Sequence, residues 1–398
     1  MKRNILDKIV WPVILGFIFI RPFVCGSAFV NLNFIIINIF IAASFLYLYS
    51  KDKDIKATVV DTAVITLLIA IIISAIIAAG KTNNINELYN YISLVTLFYV
   101  ARAANKENRK VIMFTVIIGA VFVSLYSLRA LFIVSGLALK YLPSHNISYP
   151  FAEEFIKRGR AFSPFLSPNL LAEYLVMVII LCCGIITQRV KDKKNDYILI
   201  ISGLCAGFSF VVLFFTKSIG GWLVLTVCIF IFLISVKKMN KKYIAVLFSA
   251  VLILSAVFII RNRGQEYFTK PAFSVHKRLD YWKQTVDIIA LHPLGGTGLG
   301  NFSLRESRTA HNSYLQIWAE IGILGISTWL IIVFLFIKTG IRNLSYNEKL
   351  YYNAGILTAG LAFILHNIID FSFFTAQGSF LWWIVLALNA SLHTDNYR

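Results

Sequence analysis

The sequence predicts an all-α membrane protein, a polytopic bundle of about twelve transmembrane helices with two larger loops on its outer side. Hydrophobic residues make up 58% of the 398 positions, charged residues make up only 14%, and the mean hydropathy is +0.75. Long apolar runs recur along the chain, and basic residues gather in the short connections between them. A soluble domain carries more charge and fewer continuous apolar runs, so composition alone predicts the membrane class.

A helix that crosses a bilayer needs about 20 mostly apolar residues. The stretches that meet or approach this length are 9–25, 28–48, 59–79, 88–103, 111–136, 169–187, 196–215, 219–236, 242–260, 312–337, 351–369 and 375–392. They divide the chain into a first group of spans (1–136), a first outer loop (137–168), a second group (169–260), a second outer loop (261–311) and a last group (312–398). Both outer loops are predicted to contain short helices.

The placement of charge predicts the orientation of the bundle. The net charge is +19, from 38 Lys and Arg residues against 19 Asp and Glu residues. Basic residues follow every second predicted span, for example in 51–56, 189–194 and 237–242. This positive-inside pattern predicts that both termini are cytoplasmic. A nucleic-acid-binding surface would concentrate positive charge on one soluble domain, and because no such domain is predicted we exclude nucleic acid as a partner.

The five cysteines lie in or beside predicted spans. They show neither metal-ligand nor disulfide spacing, so we interpret them as apolar residues of the spans.

The first outer loop carries the basic run Lys157-Arg158-Gly159-Arg160. One interpretation is a loop that rests on anionic lipid head groups. The sequence favours a second, in which Arg158 and Arg160 bind a phosphate group, since a guanidinium binds two oxygens at once and stays charged. The following Ser167-Pro168-Asn169 is typical of a helix start, which would hold Arg160 at the membrane interface and Asn169 beside it.

The second outer loop is predicted to contain a helix near the membrane surface. Apolar residues recur at near-helical spacing over 274–290, and Arg278 lies close to that apolar face. Arg278 is therefore either a surface residue beside the apolar face or a residue that contacts a ligand. The glycine-rich run at 295–300 predicts a turn. It is not a phosphate-binding P-loop, because no Gly-Lys-Ser/Thr sequence follows it.

His311 stands where this polar loop enters a long apolar run. Asn312, Gln316 and Glu320 are four residues apart, so they predict one polar stripe that faces the bundle rather than lipid. His311 and Glu320 fall on opposite faces of a regular helix, so Glu320 is predicted to support the site rather than to orient the histidine. His311 is the predicted chemical residue.

His366 and Asp370 are four residues apart near the outer end of another predicted span. They fit a carboxylate-oriented histidine, and they fit equally a buried polar pair that joins helices. Asp370 is also a candidate partner for an outer arginine.

Four segments together resemble the O-antigen ligase and polymerase superfamily. They are RAFSPFLSPNLLAEYL from Arg160, RLDYW from Arg278, HPLGGTGLGNF from His292, and HNSYLQIWAEIG from His311. Their order and spacing span about half of the chain.

The resemblance implies a GT-C-like membrane glycosyltransferase of the bacterial inner membrane, with its active site facing the periplasm. Its donor would be a glycan on an undecaprenyl-diphosphate carrier, and its acceptor would be lipid A–core or another glycan. Arg160 and Arg278 would bind the diphosphate, and His311 would be catalytic. The resemblance implies neither a metal nor another cofactor.

Chemistry and resemblance together predict single-displacement transfer with inversion, in which His311 is the general base and the arginines stabilise the diphosphate leaving group. The leading interpretation is an O-antigen ligase. The first alternative is a polymerase that extends the lipid-linked glycan, and the second, of another class, is a non-catalytic polysaccharide transporter. The predicted span centres are mostly apolar, which disfavours a transporter.

Overall fold

The computed structural model describes residues 5–24, 57–78, 84–144, 150–236, 269–345 and 349–395, with isolated positions at 39, 42–44, 46–47 and 249. All regular secondary structure in these residues is helical, which confirms the predicted class. Apart from the isolated positions, the predicted spans 28–48 and 242–260 lie outside the described residues. The predicted number of about twelve spans is therefore not confirmed.

The helices are α1 (Ile5–Ile20), α2 (Val59–Ile77), α3 (Asn84–Ala103), α4 (Lys106–Arg129), α5 (Ser135–Ser144), α6 (Pro150–Lys157), α7 (Pro168–Lys191), α8 (Tyr197–Thr216), α9 (Ile219–Ser235), α10 (Thr269–Leu291), α11 (Ser313–Asn343), α12 (Leu350–His366) and α13 (Ala376–Asp395). A π-helical turn, Ala130–Val134, joins α4 to α5. Among the described residues, five helices are long and apolar enough to cross a membrane: α2, α4 with its continuation to Tyr141, α7, α8 and α11. Shorter apolar helices are α9, α12 and the Ala376–Leu392 part of α13.

Side-chain caps fix where the central helices begin. Ser167, Asp196, Ser218 and Asn312 cap α7, α8, α9 and α11, each by accepting a hydrogen bond from a backbone N–H in the first turn. Such a cap contributes about 1 kcal/mol because it satisfies a donor that the helix itself leaves unpaired. The predicted helix start at Ser167 is confirmed.

Helix α7 forms the centre of the bundle. In its most apolar window 83% of residues are buried, against 28% in α8, so α7 is surrounded by protein while α8 lies at the periphery. It packs closely on α12 at Gly184 and Gly355, where an added Cβ on Gly184 would lie 2.8 Å from the Cα of Gly355. Small residues at this crossing let the two backbones approach, as is common between transmembrane helices.

Hydrogen bonds gather several helix ends at one end of the bundle. Ser313, the first residue of α11, bonds to residues just after α12, and those residues also contact Glu173 near the start of α7. We call this end, with the starts of α7, α9 and α11 and the last turns of α8 and α12, the site end. The opposite ends of α7, α11 and α12 carry Arg189, Arg342 and Lys349, and we call this the basic end.

Helix α11 is broken at Gly322, which has φ 78° and ψ −170°. The break leaves backbone groups without helical partners, and residues 293–298 supply them: the amides of Thr297 and Gly298 donate to Ala319 O and Glu320 O, and Ile323 N donates to Pro293 O. Irregular backbone inside a span is tolerated only when its polar groups are satisfied in this way. The predicted turn at 295–300 is confirmed, and it is packed tightly against α11.

Candidate functional site

His311 lies immediately before the cap of α11 in a left-handed backbone conformation, φ 49°. Non-glycine residues rarely adopt this backbone conformation, although histidine does so more often than most. The conformation persists where surrounding hydrogen bonds hold the backbone in place. Those bonds come from the next residues, because Ser313 N donates to Asn367 O at 2.9 Å and to Asp370 O at 3.0 Å. The start of α11 is thereby fixed to the segment that follows α12.

The carboxylate beside His311 is Asp370. The distance from His311 Nδ1 to Asp370 Oδ1 is 3.5 Å, and the side-chain exposures are 30% and 2%. Nδ1 itself is enclosed, so the exposed part of the imidazole lies elsewhere on the ring. Burial raises the pKa of Asp370, but the contact with His311 and the charges of His366 and Arg278 lower it by more, so that the pKa lies below its usual value. The carboxylate is therefore ionised at neutral pH.

Helix α10 brings Arg278 to this pair. The Tyr281 ring stacks on His311 with centroids 6.1 Å apart and an interplanar angle of 20°, and Phe371 meets the same imidazole edge-on at 5.4 Å. Arg278, one turn before Tyr281, is partly exposed and acts electrostatically on Asp370 and His366. It forms neither a hydrogen bond nor an ion pair with the part of the chain that the structure describes. Its guanidinium is therefore available for an anionic ligand.

Arg160 belongs to a second polar group at the same end. Its Nε donates to Thr216 O at 2.9 Å, and one terminal nitrogen lies 3.4 Å from Asn169 Oδ1. Ser218 Oγ donates to the same Asn169 oxygen at 2.9 Å. Helices α7, α8 and α9 meet here, so the position of Arg160 is fixed although its side chain is partly exposed.

Arg158 has a different environment. Its guanidinium forms an ion pair with Glu154 one turn earlier in α6, and its backbone oxygen accepts a hydrogen bond from Lys217 Nζ at 2.7 Å. Its charge is thus partly compensated. Lys217 also lies beside Gly159, so it adds a cation to the edge of the Arg160 group.

His366 occupies the space between the two groups. Its Nδ1 lies 2.8 Å from Glu173 Oε2, and both side chains are 1% exposed. Gly220, at the start of α9, faces the other side of the ring, since a Cβ there would lie 3.8 Å from His366 Nε2. The pairing of His366 with Asp370 that their spacing allows is not the one found: His366 faces Glu173, and Asp370 faces His311.

The Glu173 carboxylate is held by further bonds. It accepts from Ser372 Oγ and from Asn367 Nδ2, and Asn367 Oδ1 in turn accepts from Ser313 Oγ at 2.5 Å. This network connects α7, α11 and α12 directly behind His311. Glu173 was not among the site residues predicted from the sequence, although a carboxylate inside an apolar span is itself a signal of a functional or structural role.

Gln316 and Glu320 form part of the polar stripe predicted on α11, and Asn312 caps the helix rather than lying on that stripe. Gln316 Nε2 donates to Glu320 Oε1 at 2.8 Å, and Glu320 Oε2 accepts from Gly300 N at 2.9 Å. Both side chains are buried, and Gln316 Oε1 accepts from Ala310 N, so Glu320 alone of the two anchors the 293–300 turn against the broken helix.

The described residues contain no group of three or more His, Cys, Asp or Glu side chains that could hold a metal ion. The chemistry that they do offer is a histidine beside an ionised carboxylate, with Arg278 close enough to act on it electrostatically and Arg160 in the loop before α7. This combination suits proton removal from a hydroxyl next to a phosphate-bearing ligand.

Residues 204–330 match the family model described as O-Antigen ligase, over about a third of the chain. The match contains Arg278, His311 and Glu320, whereas Arg160 and Asp370 lie outside it. No curated protein matches the sequence.

Proposed function

We propose that this chain is an O-antigen ligase, and the match at residues 204–330 supports its place in the O-antigen ligase and polymerase superfamily. In this proposal it moves a glycan from an undecaprenyl-diphosphate carrier to lipid A–core. It acts as a multi-pass protein of the bacterial inner membrane, with cytoplasmic termini and the site end facing the periplasm. The observation that carries the proposal is the convergence of Arg278, His311 and Asp370 at the site end.

The proton transfer centres on His311. With Nδ1 directed at Asp370, the Nε2 atom is left to accept a proton from the acceptor hydroxyl. The ionised Asp370 stabilises the imidazolium that forms and holds the ring in the required tautomer. His311 is then the general base, and Asp370 is a positioning residue.

The leaving group is a lipid diphosphate. As the acceptor oxygen forms its bond to the anomeric carbon, the bond from that carbon to the phosphate oxygen breaks and its electron pair stays with the diphosphate. Negative charge grows there, and Arg278 and Arg160 stabilise it most in the transition state. A single displacement inverts the anomeric configuration. Because the two arginines supply the positive charge, the proposed reaction needs neither a metal nor another cofactor.

The position of the arginines suits a lipid carrier that is embedded in the membrane. Arg160 lies where α7 begins and α8 ends, which is the level at which the diphosphate of a membrane-embedded carrier would lie. Arg158 is proposed as an outer contact, since Glu154 already compensates part of its charge.

The alternative is a polymerase, which uses the same donor and the same residues and differs in its acceptor, a second carrier-linked glycan. The test is transfer by the purified full-length protein from a lipid-diphosphate glycan, offered lipid A–core in one reaction and only further donor in another. A ligase puts the glycan on lipid A–core.

A lengthened lipid-linked glycan would instead establish the polymerase. Both products must disappear in His311→Ala, with His292→Ala as the matched control because His292 is exposed at the end of α10. Absence of transfer by folded wild-type protein in both reactions would overturn the enzyme assignment and favour the transporter.

A further inference from the structure

A cavity of about 460 Å³ lies at the basic end, on the opposite side of the bundle from His311. It lies between the first turns of α4, α8 and α12 and the last turns of α7 and α13. None of its lining residues belongs to the candidate site described above. Its volume falls within the range of about 300–1,000 Å³ typical of small-molecule and cofactor sites.

The cavity has an apolar floor and a basic rim. Met113, Ile117 and Leu388 are among the floor residues, and they are buried within the bundle. The rim carries the cations Lys106, Arg109, Lys110, Arg189, Lys194 and Lys349.

Three acidic side chains accompany these cations. Glu107 pairs with Lys110 at 2.6 Å, Asp196 pairs with Arg189 at 2.5 Å, and Asp192 accepts a hydrogen bond from Gln188. Asp192 is the one acidic residue among the described residues that line the cavity. Among the residues that the structure describes, positive charge therefore remains in excess at the rim, which makes the rim complementary to an anion.

This combination narrows the class of ligand. A freely soluble anion would gain nothing from the apolar floor, and an apolar molecule would gain nothing from the cations. The site fits a molecule that carries an anionic head group on a hydrocarbon chain. Such molecules are abundant at this level, because the basic end of a membrane protein faces the leaflet whose anionic lipids attract Lys and Arg.

We infer that this cavity binds an anionic phospholipid, with its phosphate against the Lys106–Arg109–Lys194 rim and the start of an acyl chain on the Met113–Ile117 floor. The lipid would lie against α4, α7 and α12, and of these helices α7 and α12 also contribute residues to the site end. The inference does not rest on the proposed glycan transfer, because no residue of the cavity takes part in it.

The test is native mass spectrometry of the detergent-purified full-length protein with phosphatidylglycerol or phosphatidylcholine. We expect phosphatidylglycerol to be retained at least about tenfold better. Each cation near the membrane contributes about fivefold to such binding, so Lys106→Gln/Lys194→Gln should weaken retention by about 25-fold. Both side chains are exposed, so the fold should persist, and circular dichroism checks this.

The matched control is Lys338→Gln/Arg342→Gln, which removes two exposed cations from the end of α11 outside the cavity and should leave retention unchanged. Ile198→Trp adds bulk beside the apolar floor without changing the charge and should also weaken retention. Equal retention of both lipids, or equal losses in the two double variants, would overturn the site. Displacement of phosphatidylglycerol by glycerol phosphate at similar concentration would show a free-phosphate site and overturn the lipid assignment.

Discussion

Nδ1 of His311, just before α11, lies 3.5 Å from Oδ1 of Asp370, just after α12. The contact joins two segments that the chain separates by two whole helices, and Ser313 fixes both by bonding to Asn367 and Asp370. An enclosed Nδ1 facing a buried carboxylate leaves Nε2 as the nitrogen that can act on a substrate. The proposed chemistry depends on this relationship.

His311→Ala should lower transfer by about 10² to 10⁴, the usual contribution of a general base, with the protein still folded. The measurement is the initial rate of glycan transfer from the lipid-diphosphate donor. His292→Ala provides the control because it removes an exposed histidine outside the site. Retained activity in His311→Ala would remove the histidine from the proton transfer.

Asp370→Asn should lower kcat by about 10- to 100-fold, less than the loss in His311→Ala, because it removes orientation and charge but not the base itself. KM for the donor should change little, since Asp370 is buried and cannot contact it. A selective rise in KM would instead make Asp370 part of donor binding.

Asp370→Asn should also change how the stability of the folded protein depends on pH. The folded pKa of Asp370 lies below the ordinary 3.8, so its ionised form stabilises the folded protein. This contribution is fully present above 3.8 and is lost as the pH falls through the lower folded value. The stability difference between wild type and Asp370→Asn should therefore shrink as the pH falls below 3.8. A difference that grows below that pH contradicts the lowered pKa of Asp370.

Arg278→Gln should reduce kcat/KM for the lipid-diphosphate donor by about 10² to 10³, as loss of a charge-stabilising donor does elsewhere. Arg278→Lys should recover only part of this, because an ammonium cannot bind two phosphate oxygens in one plane. Arg308→Gln is the control, since Arg308 is exposed in the same loop. If Arg308→Gln causes the same loss, the effect is general attraction of an anionic lipid rather than a specific contact.

Glu173 and His366 should behave as an energetically coupled pair. Removing one partner by Glu173→Leu leaves a buried imidazole without its carboxylate, which costs about 3–5 kcal/mol of stability. Glu173→Leu/His366→Leu should cost clearly less than the sum of the two single variants, because it leaves no unpaired group. Thermal unfolding of the four proteins in one detergent measures the coupling, and additive losses would show that the contact is energetically unimportant.

The helical class, the start of α7 at Ser167 and the helix over 274–290 could be predicted because each has a local signal: an apolar run, a cap or an amphipathic period. The partner of His366 could not. A spacing of four residues brings His366 and Asp370 to one helix face only while the helix continues, and α12 ends at His366. Asp370 lies beyond the end of α12 and contacts His311. The carboxylate beside His366 is that of Glu173, which is distant in sequence.

Glu320 illustrates the other limit of sequence reasoning. Periodicity places Gln316 and Glu320 on one face and assumes a continuous helix, whereas Gly322 breaks α11 directly after them. The glycine run at 295–300 and Gly322 are both visible in the sequence as breakers. Their mutual packing depends on tertiary contacts, in which the Gly300 amide binds Glu320, and no local pattern encodes it.

Gly322→Ala should destabilise the protein by at least about 2–4 kcal/mol or prevent folding, because two costs coincide. Its φ of 78° disfavours any Cβ, and that Cβ would lie 2.0 Å from Leu294 O. Gly203→Ala is the matched control in α8: it is helical and an added Cβ meets nothing within 4 Å, so it should gain about 0.5–1 kcal/mol instead. Thermal midpoints in the same detergent compare them. Equal midpoints would mean that the break in α11 is not required for the fold, and that the turn carrying Gly300 is held in place by other contacts.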